Sequence, residues 1–136
     1  LYSEELPKEI GLYQDPYQDF GRLGLEAWRA VRLIVDTGLH DKRWTREEAI
    51  DFMVANAPLS EEQARKEIER YVVTPGQATS YMVGKLKIME LRARSIAELG
   101  EAFDIREFHD VVLANGGVPL EVLDELVSEW ISEKKG

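Results

Sequence analysis

Apolar residues recur at intervals of three and four along most of the chain, which is the spacing of one face of an α-helix. The alternation of apolar and polar residues that is typical of β-strands is nearly absent. The two longest patterns predict helices over residues 19–37 and 77–99, the first capped by Asp19 and ended by Gly38. A short helix is predicted within residues 3–11.

Capping sequences mark the starts of three further helices. Each pairs a Ser, Thr or Asp with a Glu or Gln three residues later, so that the two side chains can satisfy free backbone N–H groups reciprocally. The pairs are Thr45 with Glu48, Ser60 with Gln63, and Asp104 with Glu107. Pro119 is expected at the first position of the last helix, where its missing N–H is not needed. The sequence therefore predicts an all-α array of about six or seven helices.

The composition is that of a globular domain, with 44% of the residues hydrophobic and 32% charged. A chain of 136 residues can bury one core, and neither a linker nor a repeat interrupts it, so a single domain over residues 1–136 is expected. No apolar run approaches the roughly 18 residues of a membrane-spanning helix, so no membrane span is predicted.

The net charge of −9 argues against a nucleic-acid partner, because phosphate contacts need clustered Lys and Arg. Since the chain has no Cys, it has neither a thiol nucleophile nor a Cys-ligated zinc. Its two histidines, His40 and His109, are far apart in sequence, so a metal site made from this chain would depend on carboxylates. His109 lies inside a predicted helix and is interpreted as structural.

The segment RLIVDTGLHDKRW is the first candidate for chemistry. Arg32 and Asp36 share a helix face, whereas Gly38 is expected to end the helix before His40. A solvated Arg–Asp pair is the ordinary interpretation. Asp36, however, lies near a helix C-terminus, where the helix dipole disfavours negative charge, so a tertiary partner such as an arginine is expected. His40 could donate or accept a hydrogen bond there, but by itself it is interpreted as structural.

The second candidate surrounds Pro75 and Gly76, which turn the chain between two predicted helices. Gln77 opens the second of these helices, and Tyr81 follows one turn later on the same face. A Tyr hydroxyl and a Gln amide at a helix N-terminus could hold a peptide carbonyl or an oxyanion. The alternative is a core Tyr with a capping Gln, and the residues alone favour this alternative.

Two motifs within these segments resemble a known family. They are Arg-x-x-Arg-Leu-x-Val-Asp-Thr-Gly-x-His, from Arg29 to His40, and Arg-Tyr-x-x-x-Pro-Gly-Gln-Ala-x-x-Tyr, from Arg70 to Tyr81. Together with the downstream segment FDIREFHDVVLANGGVPLEVL, they are similar to the C-terminal part of the bacterial domain-of-unknown-function family 885. The resemblance extends over almost the whole chain in one order.

The resemblance implies the C-terminal half of a helical, zinc-metallopeptidase-like fold. In that family the zinc motif lies upstream, and a further acidic ligand lies in a Glu-Gly-Trp-x-Leu-Tyr-x-Glu segment, whose tail is similar to the start of this chain, Leu1-Tyr2-Ser3-Glu4. The expectation is a fragment that lacks the zinc-binding part. Zinc would be the cofactor of the full-length protein, with no cofactor held by these 136 residues alone, which are predicted to be inactive.

The family also implies roles for individual residues. His40 and Tyr81 would be the catalytic pair, donating hydrogen bonds to the attacked carbonyl and its oxyanion. The remaining assignments are Arg70 and Gln77 for substrate binding, and Arg32 and Asp36 for structural support. The two support residues would brace a loop that presents His40.

The resulting hypothesis is a helical portion of a zinc-dependent peptidase that supplies substrate and transition-state contacts. Its partners would be the missing N-terminal portion of the protein and a peptide substrate, and the sequence leaves open a homo-oligomer. The alternative is a non-catalytic helical module for protein–protein interaction. Location in the bacterial cytoplasm or in the cell envelope is left open as well.

Overall fold

The computed structural model describes all residues from 1 to 136. Seven α-helices and three short 3-10 helices make up the chain, which contains no β-strand. The α-helices are α1 (Leu6–Glu9), α2 (Pro16–His40), α3 (Arg46–Asn56), α4 (Glu61–Val73), α5 (Ser80–Leu99), α6 (Ile105–Ala114) and α7 (Leu120–Lys135). The 3-10 helices are Tyr2–Glu4, Gln77–Thr79 and Gly100–Ala102. The predicted all-α array is confirmed, and no helix combines the length and apolar character needed to cross a bilayer.

The helices α3 and α4 begin with the capping boxes that the sequence predicts. The Thr45 hydroxyl accepts a hydrogen bond from the backbone N–H of Glu48, and the Glu48 carboxylate accepts one from the backbone N–H of Thr45. Ser60 and Gln63 make the same reciprocal pair at the start of α4. Each box satisfies two N–H groups that have no partner within the helix.

The start of α6 differs in detail from the prediction. Asp104 caps the helix by accepting a hydrogen bond from the backbone N–H of Arg106 at 2.8 Å. Hydrogen bonds from the Arg106 side chain and backbone lower the pKa of Asp104 to about 2. Glu107 does not complete a capping box but forms an ion pair with Lys134 of α7 at 2.5 Å. The predicted cap is therefore present without the predicted box.

The helix α2 begins earlier than predicted. Its cap is Asp15 and not Asp19, because the Asp15 carboxylate accepts a hydrogen bond from the backbone N–H of Tyr17 at 2.8 Å. Pro16 then occupies the first helical position, where its fixed φ suits the helix. Asp19 lies in the first turn and forms an ion pair with Lys8 at 2.7 Å.

Gly38 does not end α2, and the prediction that it does is wrong. The helix continues to His40, and Gly38 lies buried inside it against the ring of Trp44. A Cβ atom at position 38 would lie 2.5 Å from Cε3 and 2.6 Å from Cδ2 of that ring. The backbone N–H of Trp44 also donates to the carbonyl of Gly38 at 2.9 Å. Glycine is needed here because an indole packs directly on the helix backbone, not because the chain must turn.

The chain divides into two compact units, Leu1–Val83 and Gly84–Gly136, and the boundary falls within α5. In the first unit, α2, α3 and α4 share a hydrophobic core with Ala78. Its buried members are Val31, Val35, Ala49, Ile50, Met53, Ala64, Ile68, Tyr71 and Ala78. In the second unit, the rings of Phe103, Phe108 and Trp130 pack together, with centroids between 6.2 and 6.4 Å apart. The single domain over residues 1–136 stays a prediction.

Candidate functional site

The two sequence segments singled out above meet in the first unit, where the C-terminal part of α2 contacts the turn that follows α4. Both carboxylate oxygens of Asp36 accept a hydrogen bond from the backbone N–H of Gly76, at 3.1 and 3.2 Å. Asp36 is buried, and Gly76 has a φ of +78°, a conformation that favours glycine. The tertiary partner expected for Asp36 therefore exists, but it is a backbone N–H at the start of the 3-10 helix Gln77–Thr79 and not an arginine.

A second set of contacts connects the end of α4 to the same turn. Arg70 donates to the side-chain oxygen of Gln77 at 2.8 Å and to the carboxylate of Glu67 at 2.8 Å. The Tyr71 hydroxyl donates to the same Glu67 oxygen at 2.7 Å. The two predicted substrate-binding residues, Arg70 and Gln77, are thus bonded to each other.

The ionisation of Glu67 and Tyr71 follows from these contacts. Burial raises the pKa of Glu67, but the hydrogen bonds from Arg70 and Tyr71 outweigh it and leave that pKa below its ordinary value. Burial, and then the hydrogen bond to Glu67, raise the pKa of Tyr71 above its usual range. Glu67 is therefore a carboxylate and Tyr71 a neutral phenol at neutral pH, which fixes Tyr71 as the donor.

Arg32 lies at the centre of the site. Only 4% of its surface is exposed, and its guanidinium is 5.4 Å from the ring centroid of Tyr71 and 5.0 Å from that of Tyr81. Its Nη2 donates to the side-chain oxygen of Gln77 at 3.5 Å, a long and weak hydrogen bond. Arg32 is held mainly by its aromatic neighbours, since a cation over a ring face is attracted to it.

His40 is the last residue of α2, so it is not presented by a loop as the sequence predicted. Because α2 does not end at Gly38, His40 lies on the same helix face as Arg32 and Asp36. The three residues are spaced four apart. Its Nε2 lies 3.1 Å from the backbone carbonyl of Tyr71. A carbonyl can only accept, so Nε2 carries the hydrogen and Nδ1 is the nitrogen left for another partner.

Tyr81 is the second residue of α5 and is 48% exposed. Its ring is shared by two cations, because the Arg29 guanidinium lies 5.8 Å and the Arg32 guanidinium 5.0 Å from its centroid. The Tyr81 hydroxyl makes no hydrogen bond to another group of the chain. The Tyr81 hydroxyl is therefore free for a ligand.

The structure brings all six predicted site residues into one network, although no contact joins the two predicted catalytic residues directly. His40 is connected to Tyr81 through Tyr71 and Arg32. Their roles in catalysis and substrate binding stay predictions. His109 lies in the second unit, with its ring 5.9 Å from that of Phe108.

Sequence analysis assigned no individual role to three members of this network: Arg29, Glu67 and Tyr71. Glu67 and Tyr71 are four residues apart on α4, which is a recognisable signal for a shared helix face. Arg29 precedes Arg32 by three residues and is on the same side of α2, since both guanidinium groups reach the Tyr81 ring. These spacings could have identified the residues as neighbours but not the ring that connects them.

No group of three or more His, Asp and Glu side chains is arranged to hold a metal ion. The residues of this chain therefore do not fit a catalytic zinc, which takes three protein ligands and leaves one position open.

The turn at Gly76 is expected to depend on Asp36. Replacing Asp36 by Ala removes the acceptor of a partly buried backbone N–H, and this should lower the free energy of unfolding by about 2 kcal/mol. Denaturant unfolding followed by circular dichroism measures the change. Asp51→Ala is the matched control, because Asp51 is exposed on α3 and should be replaceable with little effect. Equal stabilities of the two variants would show that the Asp36–Gly76 hydrogen bonds contribute nothing.

A known protein family matches most of the chain, including both segments of the site. The model of the family described as "Bacterial protein of unknown function (DUF885)" matches residues 1–127. The chain belongs to this family. Both DUF885 motifs, which end at His40 and Tyr81, lie within the matched range and supply most of the network described above.

One solved structure has a fold similar to that of this chain. It is described as "The crystal structure of the putative lipoprotein from Colwellia psychrerythraea", and it is 53% identical to this chain with a TM-score of 0.95. The match covers 97% of this chain and 23% of that chain. This DUF885 chain thus spans less than a quarter of the length of that protein. None of the curated proteins matches the chain.

Proposed function

We propose that this DUF885 segment forms a substrate-binding wall in a zinc-dependent peptidase. The observation that carries the proposal is the Tyr81 hydroxyl, which is unpaired on a half-exposed side chain above two arginines. A phenol in that position can donate a hydrogen bond to a peptide carbonyl and to the oxyanion that forms from it. Such a donor acts most strongly where the surrounding groups hold it in place before the substrate arrives.

His40 has a different task from the one that the resemblance implies. Its Nε2–H is occupied by the carbonyl of Tyr71, so Nδ1 is the ring nitrogen that could accept a hydrogen bond from a ligand. We therefore assign His40 to a backbone N–H of the peptide substrate, and Tyr81 to the carbonyl. A donor and an acceptor on one wall match the alternating polar groups of a peptide backbone.

The other members of the network keep this wall rigid. Asp36 fixes the turn at Gly76, and Arg70, which is itself held by Glu67, donates a hydrogen bond to the side-chain oxygen of Gln77. Gln77 thereby contributes its amide N–H₂ group to the wall, because its oxygen is already used by Arg70. Rigid support of this kind matters because a displaced hydrogen-bonding group loses much of its effect on a reacting carbonyl.

Zinc would supply polarisation of the carbonyl and activation of water when bound to the full-length protein. The chain described here does not have the ligands for it, so we assign no zinc contact to its residues. We also propose a cell-envelope location for the full-length protein, since the Colwellia protein that it resembles is described as a lipoprotein.

The proposal is tested by peptide hydrolysis in a full-length DUF885 protein that carries this segment. We expect hydrolysis of unstructured peptides to stop when zinc is removed by a chelator and to return when zinc is added back. The His40→Ala variant should raise KM more than it lowers kcat, because His40 is assigned to binding. Peptides that remain uncut in the presence of zinc, at any concentration, would contradict the peptidase and favour the interaction module.

A further inference from the structure

We infer that Arg29 and Arg32 form a binding site for a carboxylate, namely the C-terminal carboxylate of a peptide. The inference rests on the proposed function for the identity of the ligand, because a peptide substrate is what brings a carboxylate to this wall. It assigns the carboxylate to residues other than Arg70, to which substrate binding was assigned on the basis of the family resemblance.

Arg32 shows the first sign of a missing anion. It is 96% buried, since 4% of its surface is exposed, and its Nε is buried without a hydrogen-bond acceptor. The one hydrogen bond of its guanidinium, to Gln77, is 3.5 Å long. The Gln77 oxygen is closer to Arg70, at 2.8 Å, so it serves Arg70 better than Arg32. A buried cation with so little compensation is costly unless an anion joins it.

Arg29, on the preceding turn of α2, also lacks acceptors for its guanidinium. Its Nε and Nη1 atoms are buried without acceptors, and its neighbours are the rings of Trp28, at 4.6 Å, and Tyr81, at 5.8 Å. Neither Arg29 nor Arg32 forms an ion pair, although the chain has 26 Asp and Glu residues. The carboxylate of Glu67 acts on Arg32 at longer range, since the Arg32 charge helps to lower the pKa of Glu67, but its hydrogen bonds come from Arg70 and Tyr71. Two guanidinium groups that share one ring and have no carboxylate in hydrogen-bond contact offer the forked N–H groups that bind a carboxylate bidentately.

Arg70 is excluded from this role by its own contacts. One side of its guanidinium donates to Gln77 and another to Glu67, so its charge is already compensated. Arg22, which is also buried, is paired with Asp19 and Glu26 at 2.8 Å. Arg29 and Arg32 therefore differ from these arginines in having buried donors without acceptors next to a half-exposed tyrosine.

The test uses this chain and two peptide probes that differ only in the C-terminal group, which is charged in one probe and neutral in the other. The probes are N-acetyl-dialanine with a free carboxylate and the same peptide as its C-terminal amide. Proton–nitrogen NMR follows the side-chain Nε–H signals of Arg29 and Arg32 during titration. We expect the acid to shift both signals and to bind about tenfold more tightly than the amide, because charge-assisted hydrogen bonds are lost with the amide.

Variants then assign the preference to the two arginines. Arg32→Gln should abolish the preference for the acid, while Arg65→Gln should keep it, since Arg65 is a surface arginine paired with Glu61 on α4. Circular dichroism shows whether Arg32→Gln is folded. If it is not, Arg29→Gln decides, because Arg29 is less buried. Equal binding of acid and amide, or a preference that survives in a folded Arg32→Gln or Arg29→Gln variant, overturns the inference.

The full-length protein separates the two sources from which a carboxylate could come. If the peptide supplies it, amidation of a peptide substrate should raise KM about tenfold, and Arg32→Gln should remove that difference. If an acidic side chain elsewhere in the full-length protein pairs with the arginines, acid and amide will have equal KM, and the inference is wrong. Absence of any peptide hydrolysis would refute the proposed function, whereas the NMR titration would still decide the carboxylate site.

Discussion

Tyr81→Phe in a full-length DUF885 protein is expected to lower the turnover of a peptide substrate by about a hundredfold, because the variant removes one donor to the oxyanion. The change deletes a single oxygen, and that oxygen makes no hydrogen bond within the chain. The ring remains in place over Arg29 and Arg32, so the cation–π contacts should persist. The free energy of unfolding should therefore hardly change, and steady-state kinetics with a folding control measures the effect.

Tyr17→Phe is the matched control for this experiment. Tyr17 lies in the first turn of α2 with 82% of its surface exposed, and it makes none of the contacts of the network. The same loss of an oxygen there should leave turnover unchanged. If Tyr81→Phe and Tyr17→Phe have the same kcat, the Tyr81 hydroxyl does not contact the transition state and interacts only with water.

Gly38→Ala should destabilise the first unit by about 3 kcal/mol, since overpacking of this severity forces neighbouring groups to move. The added Cβ would lie 2.5 and 2.6 Å from two carbon atoms of the Trp44 indole. The indole cannot shift freely, because it also packs against Phe52 with ring centroids 5.3 Å apart. Chemical denaturation of the isolated chain measures the loss.

The same helix provides a control of opposite sign. Gly21 of α2 has open space where a Cβ would be added and has an ordinary helical φ. Gly21→Ala should therefore stabilise the chain by about 0.5–1 kcal/mol, the usual advantage of Ala over Gly within a helix. A double variant tests the cause: once Trp44→Ala is present, the further cost of Gly38→Ala should nearly disappear. A cost that persists in the double variant would place the clash elsewhere.

The parts of the fold that the sequence predicts well are those determined by neighbouring residues. The capping boxes of Thr45 and Ser60 depend on side chains three positions apart, so the pattern contains the whole interaction. The capping box predicted at Asp104 does not form, because its predicted partner Glu107 pairs instead with Lys134 of α7. A competing cation from another helix cannot be recognised in a window of a few residues.

The prediction that Gly38 ends α2 is wrong for a related reason. A glycine after an apolar helical pattern followed by charged residues is typical of a helix end, and the sequence offers no sign that an indole will occupy the space of its missing side chain. Trp44 lies just six positions further on, but its placement depends on the turn before α3, in which Arg43 has a positive φ of 56°. The error at Gly38 then led to the wrong context for His40.

The candidate site was predictable as a set of residues and not as a set of contacts. The unfavourable position of Asp36 at a helix C-terminus indicates a tertiary partner, but the identity of that partner depends on a turn forty residues away. The open donors of Arg29 and Arg32 could not be foreseen at all. A missing counter-ion becomes visible after every other contact is known, because it is defined by what the surrounding side chains do not supply.

The hydrogen bonds between Asp36 and Gly76 also couple the site to the cooperativity of folding. They close a segment of forty residues that contains all of α3 and α4, so their formation requires both helices to be packed against α2. The entropy of closing such a loop must be overcome before these bonds contribute any stability. The arginine cluster and the tyrosine above it therefore have no native arrangement in a partly unfolded chain. We therefore expect peptide binding at the proposed site and the folded state of the first unit to be lost together.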